Sequence, residues 1–270
     1  MAVVVAIAST APVAVAIANT PRASADGAAA LAPDLVTLAI HQEDLFVGSE
    51  KGKVLLRLSN EVANVGSGPL EIFPSESSSD CDGDGDPAND RDAAQRLFED
   101  SNASGVYELG ADGVAAERGV GCMRYHPRHD HWHVLDFTHY QLRREADAKL
   151  VRQSQKIGFC LTDARPAIAV AGSPAAPVYP LEQGALIPCD AGSTQGISVG
   201  WADEYALALP GQQLDISRLD RGRYCLSSRV DPSNLLAESD DLNNVRRVRL
   251  LLDPDELRVR KLRRGCGIGL

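Results

Sequence analysis

The chain has 270 residues, 44% of them hydrophobic, and a formal net charge of −10 at neutral pH. That length suits one large β domain or two small ones. An acidic chain without a long basic run is a poor partner for nucleic acid, and its surface attracts cations instead.

Residues 1–19 are apolar and rich in Ala and Val, and Ala23-Ser24-Ala25 offers a small-residue cleavage site before Asp26. The expectation is a secretory signal over 1–25, although a charged start is missing, followed by a single catalytic domain over 26–270. Pro12 and the many small residues argue against a stable membrane span. The mature chain is then secreted or held at the cell surface.

Short β-rich runs follow, at 35–40, 54–58, 70–73, 133–142, 157–161, 224–230 and 245–252, each bounded by turn residues. Helical periodicity is scarce. The expected fold is mainly β, a β-sandwich-like domain with long loops and few helices. Residues 74–92 form a polar loop containing Asp82, Asp84, Asp86 and Asp90. This spacing resembles the start of a calcium loop, but an EF-hand needs a glutamate at its twelfth position, where Ala93 stands. A solvated acidic loop is the favoured reading. The basic stretch 257–264 reads as a solvated edge or docked terminus.

Six cysteines follow the signal-like leader, at 81, 122, 160, 189, 225 and 266. An even count in this context predicts disulfides in an oxidising compartment, with connectivity open. No CxxC pair is present, which argues against a zinc ribbon.

Four of the six histidines fall in residues 126–133. His129, His131 and His133 are spaced i, i+2, i+4, which on a strand places all three on one face. Convergent imidazoles suit a borderline metal, zinc or copper, and spacing alone does not choose. His126 precedes Pro127 and is expected off the strand, outside direct ligation. His139 is expected to pack in the core or support the site.

The chain resembles the lysyl oxidases, through several ordered segments. His129-Asp130-His131-Trp132-His133 and Phe137-Thr138-His139-Tyr140 are similar to that family's copper segment. Lys156-Ile157-Gly158-Phe159-Cys160-Leu161-Thr162-Asp163 is similar to its lysine strand, and residues 195–205, ending at Tyr205, to its tyrosine loop. Residues 232–245, containing Glu238-Ser239-Asp240 and Asn243-Asn244, match its last conserved segment. The likeness runs over about residues 33–252, and its features fit a bacterial-type member.

The resemblance implies a copper ion on His129, His131 and His133, and a lysine tyrosylquinone built from Lys156 and Tyr205. Copper and O2 oxidise the phenol, and a neutral, desolvated lysine amine adds to the ring. The implied reaction is oxidative deamination of a primary amine, free or on a lysine-containing protein. The products are an aldehyde, ammonia and hydrogen peroxide. Asp203 is a candidate general base. The resemblance also implies calcium on Asp34, the Leu35 carbonyl, Glu238, Asp240, Asn243 and Asn244, an oxygen-rich set. Arg128, Trp201 and Gly211 stand where animal enzymes carry cysteines, so those local disulfides are absent; Cys160 and Cys189 match family positions and are expected to pair. Two other readings stay open: a non-catalytic calcium-stabilised β-sandwich binding module, and a His-rich zinc or iron metalloenzyme.

Overall fold

The computed structural model describes residues 30–75, 79–127, 130–155, 157–179, 189 and 194–267. The expected signal over 1–25, together with His129 and Lys156, lies outside the described residues. Among those described, the chain is all strand and loop, with no helix: β1 (Leu35–Thr37), β2 (Leu45–Glu50), β3 (Lys53–Leu58), β4 (Asn60–Asn64), β5 (Leu70–Pro74), β6 (Asp90–Phe98), β7 (Val114–His126), β8 (His131–Arg144), β9 (Leu150–Gln153), β10 (Ile157–Phe159), β11 (Arg165–Pro166), β12 (Gln195–Ile197), β13 (Trp201–Tyr205), β14 (Gln213–Asp215), β15 (Gly222–Val230), β16 (Val245–Asp253) and β17 (Arg258–Lys261).

One large antiparallel sheet runs β12-β5-β6-β7-β8-β15-β16-β17, with β9 and β10 also paired to β8. Two smaller sheets, β1-β4-β13-β11 and β14-β3-β2, complete the layering. The core divides in two along β8. Trp132, Val134 and Phe137 pack with Val62, Phe159, Leu161, Ile197 and Trp201. Tyr140 and Leu142 pack with Leu56, Leu58, Leu214, Leu226 and Leu250. Alternation of inward and outward side chains lets one strand serve both clusters. The division coincides with an irregularity. Asp136 takes a φ of 57°, and β10 sets Ile157 opposite Thr138 but Phe159 opposite Val134. Two steps on β10 therefore meet four on β8, a bulge that bends the longest strand where the cores part.

Several elements depart from the sequence expectation, for local reasons. The strand expected over 35–40 ends at Thr37, because the Asp44 carboxylate accepts from the His41 amide (2.6 Å) and starts a turn. The strand expected over 157–161 ends at Phe159, because the next backbone groups bond to side chains: the Cys160 carbonyl to Tyr205, the Leu161 amide to Gln195. The charged β6–β7 hairpin, its partner face solvated, carries no apolar run to announce it. The basic tail docks as β17 on β16. Cys266 behind it is joined to Cys225 in β15, and the other disulfides are Cys81–Cys122 and Cys160–Cys189.

Tyr140 is fully buried and its hydroxyl donates to Gln212 Oε1 at 2.9 Å. Tyr140→Phe keeps the ring but leaves that buried amide oxygen without its donor, which costs about 1–3 kcal/mol. Equilibrium denaturant unfolding of the two proteins measures the difference, and equal midpoints would refute this account of the second core.

Candidate metal centre and tyrosine site

The histidines meet because a hairpin folds back on itself. β7 ends at His126, Asp130 takes a φ of 58°, and β8 begins at His131. The register sets His126 opposite His131, Tyr125 opposite Trp132 and Arg124 opposite His133. Trp132 points inward and is buried, so its neighbours His131 and His133 point out together. Their Nε2 atoms stand 3.0 Å apart. The His126 ring stacks on His133, centroids 5.0 Å apart and planes 22° apart. His126 is thus the last residue of a strand inside the histidine cluster, contrary to the expectation that Pro127 keeps it off the strand. The signal was present in the sequence, but only as a hairpin return that linear spacing does not display.

Two imidazole nitrogens each about 2.0–2.1 Å from one ion at right or tetrahedral angles stand about 2.9–3.4 Å apart. The His131–His133 separation fits that donor set. A cleft of about 640 Å³ opens beside them. Arg124, His126, His133, Gln155 and Gly158 are among its lining residues. Gln155 and Gly158 flank the position of Lys156 in the chain. The approach to that position is pinned at Ser154. Its amide donates to the Tyr140 carbonyl (2.9 Å), its hydroxyl accepts from the Tyr140 amide (2.9 Å), and its carbonyl accepts from His139 Nε2 (3.1 Å). His139 therefore supports the lysine segment rather than joining the other histidines. A Cβ at Gly158 would meet the Val134 carbonyl and the Leu135 side chain, which keeps β10 tight against β8.

Tyr205 closes β13 opposite Asn60 of β4. A turn at Gly200, φ 80°, launches that strand, and a side chain there would run into the Ser173 hydroxyl and the Ile168 carbonyl. The Tyr205 ring stacks on Phe159, centroids 3.5 Å apart, within the first core. Its hydroxyl donates to the Cys160 carbonyl. Tyr205 is not among the residues lining the histidine cleft, while Gly158 of β10, next to its stacking partner Phe159, is. Asp203 faces the phenol from the same strand. It is 3% exposed, one oxygen accepts from Thr162 Oγ1 (3.4 Å), and the other has no partner among the described residues. Burial pushes the Asp203 carboxyl well above its usual range. Burial first, and then the nearby Asp203 charge, push the Tyr205 phenol up as well.

One disulfide joins the two halves. The Cys160 carbonyl receives the Tyr205 hydroxyl, Cys160 is bonded to Cys189, and the Cys189 carbonyl accepts from the Trp132 amide at 2.7 Å. Buried Gln195 adds a second brace, accepting from the Leu161 amide (3.0 Å) and donating to the Trp132 carbonyl (2.9 Å). Both peptide groups of Trp132, between His131 and His133, are thereby tied to the segment just after β10, which carries Tyr205's acceptor.

A second polar cluster ties the start of the fold to residues 238–244. Glu238 accepts from the Leu35 amide (2.6 Å) and from the Asn244 side chain (2.8 Å). Asn243 donates to Asp34 at 2.7 Å. The amide oxygens of Asn243 and Asn244 are buried with no partner among the described residues. Burial pushes the Glu238 carboxyl up to about 8. Leu35 presents its amide to Glu238. Asp240 is exposed and accepts from the Leu242 amide (2.8 Å).

Gln195→Leu would strip partners from two buried backbone groups at once, a loss of about 2–4 kcal/mol in stability. It should also loosen His131 and His133, lowering the metal retained after dialysis. Denaturant unfolding and metal content measure both, and unchanged metal retention in a destabilised variant would break the proposed link between Gln195 and the histidines.

The family model described as "Lysyl oxidase" matches residues 89–262, which is 174 of the 270 residues and includes the histidine hairpin, Asp203, Tyr205 and residues 238–244. Protein-lysine 6-oxidase of Rattus norvegicus is 32% identical over 131 residues, covering 45% of this chain and 26% of that protein. Lysyl oxidase homolog 1 of Homo sapiens is 31% identical over 131 residues, covering 45% and 19%. Lysyl oxidase homolog 4 of Mus musculus is 30% identical over 152 residues, covering 56% and 18%. The chain thus matches about a quarter or less of the length of these relatives, which are animal proteins and do not speak to a bacterial type. With most of its length matched by the family model, the chain belongs to the lysyl oxidase family.

Proposed function

We infer that this chain is a secreted or cell-surface amine oxidase that converts primary amines, on peptidyl lysine or small molecules, to aldehydes with release of hydrogen peroxide and ammonia. The observation that carries the reading is the pair of converging imidazoles, His131 and His133, braced through Trp132 and one disulfide to the acceptor of Tyr205. Their family setting adds to it. Residues 26–270 would be the catalytic unit, and 1–25 the signal. Three disulfides accord with export.

His129, His131 and His133 would hold copper, with His126 stacked on His133 at the cleft edge. When bound, copper with O2 supplies the oxidation of the phenol, and the resulting quinone of Lys156 and Tyr205 supplies an electron sink for amine oxidation. The chain's own groups do the rest. Phe159 holds the Tyr205 ring flat, and the Cys160 carbonyl fixes its hydroxyl. Asp203, buried two residues from Tyr205 on the same strand, would take a proton from the phenol. A carboxylate whose charge is disfavoured by burial is a stronger base than a solvated one, which suits Asp203 to abstract the substrate's α-proton. Ser154, held at three points, would set the lysine's approach.

Calcium would sit among Asp34, the Leu35 carbonyl, Glu238, Asp240, Asn243 and Asn244. Two buried amide oxygens without partners and a carboxyl pushed up to about 8 are the state such a cluster takes without a cation. Its role would be structural.

Copper-loaded, aerated protein should stain as a redox-cycling quinone and yield one branched peptide joining Lys156 and Tyr205. Lys156→Arg should keep its copper and lose both signals; amine oxidation undiminished in that variant would sink the cofactor assignment. Asp203→Asn should retain copper but release peroxide from amines at least about a hundredfold more slowly, the usual worth of a positioned base. Calcium should raise the thermal midpoint of the full chain, and Glu238→Gln should diminish that rise; an equal rise in the variant would remove Glu238 from the site.

A further inference from the structure

The acidic loop before β6 is largely exposed, as a solvated loop is, except where it meets β6. Asp90 begins β6 and is fully buried, 0% exposed, as is most of the Asp82 side chain, 7% exposed. Oxygens of Asp80, Asp82 and Asp90 lie within 4.8 Å of one another. Asp90 Oδ2 accepts from the Asp82 amide at 3.1 Å, but Asp90 Oδ1 has no hydrogen-bond partner among the described residues. A buried carboxylate with one oxygen left bare, in a side chain grouped with two other carboxylates, is costly unless something cationic completes it. The nearby cation that the structure does supply is Arg124, which pairs with Asp82 Oδ2 at 2.5 Å and leaves the bare oxygen of Asp90 unmet.

We propose that Asp80, Asp82 and Asp90 form a second calcium site, distinct from the cluster at Glu238. Carboxylate oxygens each about 2.3–2.6 Å from one Ca2+ stand up to about 5 Å apart, which the 4.8 Å grouping meets. The donors are hard oxygens, and the adjacent Cys81 and Cys122 are spent in a disulfide, so no thiolate is present to favour a softer ion. That disulfide staples the loop to β7, where Arg124 lies opposite Asp90 on one side and His133 on the other. The ligand set differs from the EF-hand order suggested by residues 82, 84, 86 and 90. Asp84 and Asp86 are exposed and accept from the Asp86 and Ala88 amides (2.8 and 3.2 Å), shaping the loop rather than closing the site.

Calcium bound to the full chain, counted by equilibrium dialysis against calcium alone, tests this. Wild type should hold two ions, Glu238→Gln one, Asp90→Asn one, and the double variant none. Asp80→Asn alters an exposed residue without touching the core and should weaken one of the two sites at least tenfold. If the Glu238 cluster binds no calcium, wild type should hold one ion, kept in Glu238→Gln and lost in Asp90→Asn. Calcium content and affinity unchanged by both Asp80→Asn and Asp90→Asn would overturn the proposal, whatever Glu238→Gln does.

Discussion

The centre depends on two backbone carbonyls joined by one disulfide. Cys160 offers its carbonyl to the Tyr205 hydroxyl, and Cys189 offers its carbonyl to the Trp132 amide. The sulfur bridge between them fixes the distance from the tyrosine's acceptor to the peptide that separates His131 from His133. Neither contact is strong alone, since a neutral hydrogen bond nets about 1 kcal/mol. Their value is geometric. A loop closed by a disulfide has fewer unfolded conformations to lose, and its native arrangement is held against drift. Gln195 repeats the logic with an amide, bridging Leu161 to the other peptide group of Trp132. The proposed metal centre and reactive tyrosine would need to be held to within about half an ångström of their working positions, and this double tie between β8 and the residues just after β10 would be the means.

The bulge at Asp136 lets β8 carry that load without conflict. Upstream it presents histidines outward and Trp132 and Val134 inward, and downstream Tyr140 and Leu142 fill a second core. A straight strand of this length would have to serve one sheet partner throughout; the bend at 135–137 lets it pack against two small sheets. The Asp203–Tyr205 pair follows from the same burial. Ile197, Phe159 and Trp201 exclude water there, so a carboxylate and a phenol two residues apart on one face of β13 each resist losing a proton while the other is charged.

The histidine strand is legible in the sequence because its signal is a period of two, the one spacing that a strand enforces. The mainly β class is legible for a similar reason, in short runs rich in Val, Leu and Ile between turn residues. His126 is not legible, because its place depends on a hairpin register that carries no mark in linear order. The pairing of Cys160 with Cys189 came through the family likeness and not through spacing, and the structure bears it out. The strands β6 and β7 escape notice because Arg, Asp, Glu and Gly dominate their solvent faces. The true end of β10 is hidden too, since side chains of Tyr205 and Gln195, far along the chain, capture its backbone. Local pattern reports which face is buried; it does not report which distant side chain ends a ladder.

Ligand softness would sort metals among the donor groups of this chain. All six cysteines are consumed in disulfides, so no thiolate competes for a soft or borderline ion. Imidazoles are then the remaining borderline donors, and the hairpin gathers them at one cleft. Carboxylates and amide oxygens are gathered elsewhere, at Asp80, Asp82 and Asp90 and around Glu238, where hard cations are preferred. Copper would find nitrogen at the cleft, while calcium would find oxygen in the carboxylate clusters. A chain of net charge −10 concentrates cations of every kind near its surface. Donors segregated in this way would direct a borderline ion such as copper to the histidine cleft, and a hard cation such as calcium to the carboxylate clusters that tie the loops.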